Sequence, residues 1–367
     1  MRANAGGDVL NKSKKNAVDS SGPTSKNKEQ DQSNSFAWLA KTPKIDCHTH
    51  IDVDSAEEEL FEMLESQNMK WLTVCYDGLQ WPELEKRIKV AEKFHAEYPE
   101  RVSWATSFKL TNWGSPEWAA EAIDLIGEGF EHGAVAVKVW KDIGMALRDS
   151  NENFVMIDDP RFDPVFDFIR QQDKTLVGHV IEPRNCWLPL ESMAVKNDRE
   201  YYRDHPEEHA CHNPEIAQYS KYLDTMKRLL KNHPHLRIVV CHLAGLESDI
   251  DALAELFDTY SNFAVDTAAR IGHLQHLDRD KVRAFLIKYQ DRLLYGTDLE
   301  IARDDAAENR EHIHQATQTY ERDRLYFSTD QEITVPELDR PLRGLALPTQ
   351  VLQKIYFTNA QRWYPGI

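Results

Sequence analysis

The chain has 367 residues, of which 41% are hydrophobic and 10% aromatic, enough to bury a large core. Its formal charge of −17, from 44 basic and 61 acidic residues, argues against nucleic acid or an anionic membrane as a partner. No run of about 18 apolar residues predicts a transmembrane helix, and the first residues lack the apolar segment of a signal peptide. We therefore expect a cytoplasmic protein with no nucleic-acid or membrane partner.

The first 35 residues differ in composition from the rest of the chain. They are rich in Asn, Ser, Lys, Gly and Gln and almost lack large apolar side chains, so they cannot bury enough surface to become ordered. We predict a disordered tail over residues 1–35 and one folded domain over residues 36–367. The five cysteines form no CxxC pair, which favours reduced thiols in the core.

Strand-like and helix-like patterns alternate from residue 36 onward. Strands are predicted at 44–50, 70–76, 101–108, 134–140, 175–180, 236–242, 262–266 and 292–298. Helices are predicted at 56–67, 83–97, 115–131, 161–172, 214–231, 247–259, 279–290 and 302–320, with one more near 348–357. Eight strands, each followed by a helix, predict an α/β protein built as a single (β/α)8 TIM barrel with a C-terminal helical extension.

Ionisable side chains stand at the ends of the predicted strands, where such barrels place their chemistry. The first strand ends with His48 and His50, and because strand side chains alternate, both rings leave the same face. Later strands end with Lys138, His179, His242 and Asp298. Three of these imidazoles in their neutral form, together with the carboxylate of Asp298, suit a divalent ion such as Zn²⁺ and leave a position for water. The alternative is that each side chain merely caps its strand.

Lys138 lies in an alternating segment, Ala-Val-Ala-Val-Lys-Val-Trp at 134–140. The three valines suit the helix layer, so Lys138 should point into the barrel near its top. A buried lysine is costly unless it is paired or chemically modified. An unmodified Lys138 could bind a substrate carboxylate or pair with Asp298.

The order of these motifs resembles the amidohydrolase superfamily, in particular the amidohydrolase-2 branch of metal-dependent hydrolases and nonoxidative decarboxylases. The matching elements are IDCHTH at 45–50, GH at 178–179, CHLAG at 241–245, YGTD at 295–298 and NAQRW at 359–363, within residues 44–365. The resemblance implies a metal-dependent barrel with His48, His50, His179 and Asp298 around a divalent ion, usually zinc or manganese.

The same resemblance leaves the number of ions and the oligomeric state open. Members of the superfamily that bind two ions bridge them with a carboxylated lysine from the fourth strand, a role for which Lys138 is placed. We favour one ion, because the relatives that look closest are typically mononuclear. Relatives often dimerise, so a homodimer is also open.

The strand-end loops suggest how a substrate could be held. The segment from residue 181 to about 213 is too long for a bare connection, which predicts a functional loop or a lid. Arg184 and Trp187 lie near its start, and Arg270 follows the seventh strand. Arg184 and Arg270 could clamp a carboxylate through paired hydrogen bonds, with Trp187 beside the metal. The alternative is that both arginines form salt bridges with neighbouring acids.

These residues lead to one main hypothesis and two alternatives. The main hypothesis is a metal-dependent hydrolase that cleaves a C–N or C–O acyl bond, such as an amide, lactam or lactone, in a small carboxylated molecule. A metal-activated water attacks, Asp298 shuttles its proton, and His242 stabilises charge. The alternatives are a nonoxidative decarboxylase on the same metal site and a non-catalytic barrel whose metal is structural.

Overall fold

The structure is a computed structural model that describes residues 36–79 and 83–367. The tail predicted over residues 1–35 lies outside the described residues. Within them, no helix is long and apolar enough to cross a membrane.

Nine strands of the described chain form one parallel sheet. They are β1 Lys44–Ile51, β2 Met69–Val74, β3 Val102–Thr106, β4 Ala136–Val139, β5 Thr175–Gly178, β6 Arg237–Val240, β7 Phe263–Asp266, β8 Leu293–Leu294 and β9 Leu299–Ile301. Strands β1 to β8 pair in chain order, and β9 returns to pair with β1, with Thr49 opposite Leu299.

The eighth predicted strand is present but interrupted. Within the predicted range 292–298 only β8 is a strand, and it pairs with β7; β9 begins beyond that range and pairs with β1, and residues 295–298 lie between the two strands. Across this break, Cys47 N donates to Tyr295 O at 2.9 Å and Asp298 N donates to His48 O at 2.8 Å. These bonds join the last strand to the first, so the sheet closes as the predicted (β/α)8 barrel.

The predicted helices surround the sheet. The main ones are Glu57–Ser66, Leu84–Glu97, Trp118–Glu131, Asp163–Gln171, Tyr219–Asn232, Ile250–Thr259, Arg279–Lys288 and Ala306–Ser328. Shorter ones are Asp142–Met145, Lys196–Asp204, Ile271–His276, Thr349–Gln353 and Asn359–Trp363, and a short hairpin pairs Glu332–Ile333 with Leu342–Arg343. Three of the main helices begin at aspartates whose carboxylates accept backbone N–H groups, namely Asp249, Asp278 and Asp305. Such a cap contributes about 1 kcal/mol to a helix.

Strand alternation divides the core into two parts. Small and β-branched side chains such as Ala136, Val177 and Val239 fill the barrel interior, while Val137 and Val139 pack against the helix layer. Lys138 is therefore directed inward, as the alternation predicts, and it is fully buried.

The C-terminal extension closes one end of the barrel. Trp363 and Tyr364 pack onto the interior cluster, and the side-chain amide of Asn359 donates to the carbonyl of Leu293 at 2.7 Å. Thr175, at the start of β5, donates to the carbonyl of Trp363. The extension therefore covers the amino ends of the strands and leaves the carboxyl ends for the site.

Candidate metal centre

His48 and His50 converge with Asp298 at the carboxyl ends of the strands. Both rings leave the same face of β1, and both residues are buried. Oδ1 of Asp298 lies 3.3 Å from Nε2 of His48 and 3.3 Å from Nε2 of His50. The ligand atoms of the three residues lie within 4.8 Å of one another, close enough to share one ion.

Asp298 reaches this position because the eighth strand breaks before it. Its backbone has a φ of 68°, a left-handed conformation that costs a non-glycine residue about 1–3 kcal/mol. Its side chain is 31% exposed. Burial alone would raise its pKa, but the imidazoles of His48, His242 and His50 hold that pKa well below its usual range. The group is therefore an ionised carboxylate that is open to the cavity.

Asp266, at the end of β7, orients the ring of His48. Nδ1 of His48 donates to Oδ2 of Asp266 at 3.0 Å, and both side chains are fully buried. Burial alone would raise the pKa of Asp266, but its pairing with His48 and the backbone N–H of His242 lower that pKa to about 2. Because a carboxylate can only accept, the proton of His48 sits on Nδ1 and its Nε2 lone pair faces Asp298. This is the arrangement typical of metal-binding histidines.

Lys138 lies among the candidate ligands. Its Nζ is 3.1 Å from Nε2 of His48 and 3.2 Å from Sγ of Cys241. Its hydrogen-bond partners are therefore His48 and Cys241 and not Asp298, the pairing considered from the sequence. Cys241 also forms a second compact group with His48 and His242.

His179 and His242 lie beside this group and contact each other, with ring centroids 4.4 Å apart. Nδ1 of His242 lies 2.9 Å from the carbonyl of Ala268, which can only accept, so Nδ1 carries the proton and Nε2 is a free acceptor. Burial lowers the pKa of His179 to about 4 and that of His242 well below its usual value. Both rings are thus neutral, the form that binds metals. His179 lies outside the groups whose ligand atoms approach within 4.8 Å.

Several ring nitrogens of this region are buried without a hydrogen-bond partner among the described residues. They are Nδ1 of His50, both nitrogens of His179 and Nε2 of His242. Each such group costs about 1–3 kcal/mol, so their clustering calls for a ligand. Imidazole nitrogens around an ionised carboxylate are a suitable donor set for a divalent ion. The residues present therefore fit a metal.

A cavity of about 850 Å³ opens above the centre, and His50, His179, His242 and Asp298 all line it. One wall is aromatic, because Tyr76 at the end of β2 stacks on Trp140 after β4, with centroids 4.4 Å apart.

Arg87 packs against this aromatic wall and helps to hold it in place. It lies over the ring of Tyr76 and donates to the Tyr76 hydroxyl at 3.1 Å and to Asp52 at 2.8 Å. The aromatic wall was not predicted from the sequence. Strand alternation already placed Trp140 on the face of Lys138, and Tyr76 ends a predicted strand, so both signals were present.

Arg270 lines the cavity and is buried. Burial would lower its pKa, but Asp198, Glu247 and Glu182 raise it above its usual value. Its guanidinium donates to the carbonyl of Ala269 at 3.0 Å, while its Nε is buried without a partner in the described part of the chain. The guanidinium of Arg270 is therefore charged, and its Nε–H donor is available to a ligand.

Arg184 and Trp187 do not line the cavity, which corrects their predicted contact with substrate. Arg184 is exposed, and its backbone N–H donates to Glu247 at 3.0 Å. The indole of Trp187 donates to the carbonyl of Ala217 at 2.9 Å and packs on Tyr219. The chain turns after Pro183 into a short helical turn, Arg184–Trp187, which directs both side chains away from the centre.

The long segment after β5 covers part of the cavity, to which Asp198, Tyr201 and Tyr202 contribute. Asp198 accepts from Nε2 of His273 at 2.9 Å and from Asn185 at 2.7 Å. Both contacts fix the helix Lys196–Asp204 over the cavity.

Lys141 fastens the same segment to the loop after β4. Its Nζ lies 2.7 Å from both Glu182 and Glu208. His209, in the same segment, is buried, and its Nε2 lies 2.8 Å from the carbonyl of Leu188.

A parallel barrel with imidazoles and a carboxylate at its carboxyl end has the layout of a metal-dependent enzyme of this fold. A family model described as Amidohydrolase matches residues 45–366. The chain therefore belongs to the amidohydrolase family, as the sequence motifs predicted. No curated protein matches its sequence.

Several solved structures resemble the chain at low sequence identity. A protein of Agrobacterium tumefaciens in its apo form has 11% identity and a TM-score of 0.43 over 88% of this chain and 95% of its own. A Xaa-Pro dipeptidase with bound methionine has 10% identity and a TM-score of 0.41 over 88% of this chain and 75% of its own. An amidohydrolase from Pseudomonas aeruginosa has 9% identity and a TM-score of 0.41 over 91% and 98%.

Proposed function

We propose that the protein is a metal-dependent hydrolase that cleaves a C–N or C–O acyl bond, as in an amide, lactam or lactone, of a small carboxylated molecule. The observation that supports this proposal best is the convergence of His48, His50 and Asp298, of which His50 and Asp298 line the cavity. The family membership of residues 45–366 supports the same chemistry.

His48, His50 and Asp298 would hold one divalent ion, Zn²⁺ or Mn²⁺, with His179 as a further ligand. When bound, such an ion lowers the pKa of water and polarises an acyl carbonyl. Asp298 is ionised and partly exposed, so its free oxygen accepts the proton of the attacking water and returns it to the leaving nitrogen or oxygen.

His242 assists as a hydrogen-bond acceptor. Its Nε2 carries no proton, because Nδ1 donates to the carbonyl of Ala268. The ring can therefore orient the attacking water or ligate an ion, but in this tautomer it cannot donate to a developing oxyanion. This refines the role of charge stabilisation expected from the sequence.

Arg270 is the candidate for the substrate carboxylate. It is charged, lines the cavity and lies close enough to His242 to lower the pKa of that ring. A guanidinium with unused N–H donors binds a carboxylate through paired hydrogen bonds. The bond to be cleaved would then lie over the metal ligands, with the carboxylate towards β7.

The test combines metal analysis with product analysis in ¹⁸O water. We expect about one zinc ion per chain, and a substrate screen of N-acyl amino acids, lactams and lactones that shows ¹⁸O uptake into the product. Release of carbon dioxide without ¹⁸O uptake would replace hydrolysis with decarboxylation. Metal binding without turnover of any member of the panel would favour the structural metal, although the partly exposed Asp298 argues for an open site. A cytoplasmic location and a homodimer stay predictions.

A further inference from the structure

A buried carboxylate, Asp46, lies close to the candidate centre and accepts from the backbone of His48. It precedes His48 by two residues on β1, is fully buried and is directed towards the helix layer, because the strand register is irregular between Asp46 and Thr49. Four donors converge on it. Its Oδ1 accepts from the backbone N–H groups of His48 at 3.2 Å and of Thr297 at 3.1 Å. Its Oδ2 accepts from the hydroxyls of Thr297 at 2.5 Å and of Tyr320 at 2.8 Å.

These hydrogen bonds act where the sheet itself provides little support. Residues 295–298 lie in the break between β8 and β9. Thr297 is held there through both its backbone and its side chain, and its hydroxyl oxygen also accepts from the backbone N–H of Leu299 at 3.3 Å. The next residue, Asp298, has the left-handed backbone that directs its side chain to the histidines.

Tyr320, which lies outside the barrel, determines which groups donate and which accept in this hydrogen-bond network. It lies on the helix Ala306–Ser328, and its hydroxyl oxygen accepts from the indole of Trp71 at 2.7 Å. The hydroxyl hydrogen is therefore free to donate to Asp46. Both Trp71 and Tyr320 are buried, so water does not compete for these bonds.

We propose that Asp46, supported by Tyr320, is a positioning residue that holds Thr297 and thereby aims the carboxylate of Asp298 at His48 and His50. Asp46 touches neither substrate nor metal in this scheme. The placement of Asp298 is independent of the reaction, whereas its effect on metal binding rests on the proposed function.

The test uses the full chain and two nearly isosteric variants. Thr297→Val removes one hydroxyl donor to Asp46, and Tyr320→Phe removes the other. Tyr356→Phe is the matched control, because Tyr356 is equally buried, packs on Tyr295 at 4.3 Å and has a hydroxyl without a partner among the described residues.

Hydrogen–deuterium exchange of the metal-free proteins measures the local stability of the segment that contains Thr297 and Asp298. Loss of one buried hydrogen bond should speed exchange in peptides covering residues 295–301 about tenfold in both variants, with the control unchanged. Exchange equal to that of Tyr356→Phe, or faster exchange spread over the whole barrel, would overturn the proposal.

Zinc affinity, measured with zinc chloride against a chromophoric chelator, adds a second readout. Both variants should bind zinc about tenfold more weakly than the parent, and their cobalt-substituted forms should show altered visible absorption bands. Zinc affinity equal to the parent would contradict the effect on the metal. A parent protein that binds no zinc would contradict the proposed function instead, and the exchange experiment would then decide on the positioning alone.

Discussion

Nδ1 of His48 and Oδ2 of Asp266 lie 3.0 Å apart in a fully buried pair that joins the first strand of the barrel to the seventh. The same carboxylate accepts the backbone N–H of His242 at 2.7 Å, so one group orients a candidate ligand and fixes the end of β6. This carboxylate thus connects strand ends that are distant in sequence.

Asp266→Asn should weaken metal binding without removing a ligand. An amide can present its NH₂ group to His48 and so favour the wrong tautomer, with the proton on Nε2. We expect zinc affinity to fall by about 10- to 100-fold. Chelator competition measures this, with the exposed Asp224→Asn as the control. Affinity equal to that of the control would show that the pair does not set the tautomer.

The chemical form of Lys138 determines whether the site binds one metal ion or two. Because its Nζ contacts Nε2 of His48 and Sγ of Cys241, an unmodified amine already has partners. We therefore expect a zinc-to-chain ratio near one that survives Lys138→Ala, measured by elemental analysis after growth with bicarbonate. A ratio near two that falls to one or below in the variant would instead establish the carboxylated bridge.

Arg270→Lys tests the carboxylate site. A lysine keeps the charge but cannot form the paired hydrogen bonds, so KM for the substrate found in the screen should rise about 10- to 100-fold with a smaller change in kcat. Arg184→Lys is the matched control, because Arg184 is exposed and lies outside the cavity lining. Equal KM values for the two variants would remove Arg270 from substrate binding.

The sequence was sufficient to predict the barrel and most of its centre. Apolar runs located β1 to β8 within a few residues, because a parallel strand is buried on both faces and reads as a continuous hydrophobic run, whereas β9 lies just beyond the last predicted segment. Strict alternation would also place Asp46 on the face of His48 and His50, but an irregular register between Asp46 and Thr49 turns Asp46 towards Tyr320 in the helix layer. Lys138 could be directed inward from the alternation of its own strand.

The parts that depend on tertiary contacts could not be predicted. The sequence of the eighth strand reads as continuous, but at residues 295–298 the strand is interrupted, and Thr297 there donates hydrogen bonds to Asp46, about 250 residues earlier in the chain. The segment after β5 was predicted as a functional loop or a lid, but its helix Lys196–Asp204 and its short helical turns were not predicted. Its folded path turns Arg184 and Trp187 away from the cavity.

Asp323 should make the stability of the protein depend on pH. Burial raises its pKa to about 7, partly offset by the hydrogen bond that it accepts from Tyr295 at 2.8 Å and by the charge of Arg322. The phenols of Tyr326 and Tyr356 are its other titratable neighbours. In the unfolded chain the group ionises near 3.8. Between about pH 4 and 7 the folded protein therefore holds a proton that the unfolded chain has lost, so this group's contribution to stability falls as pH rises.

Asp323→Asn cannot ionise and still accepts from Tyr295, so it removes this dependence. At pH 8 the variant should be more stable than the parent, by an upper limit of roughly 4 kcal/mol, and the advantage should shrink towards pH 4. Thermal midpoints of variant and parent at pH 5 and pH 8 measure the difference, with Asp224→Asn as the exposed control. A difference in thermal midpoint between variant and parent that is the same at both pH values, or that grows as pH falls, would mean that Asp323 is ionised in the folded protein throughout this range.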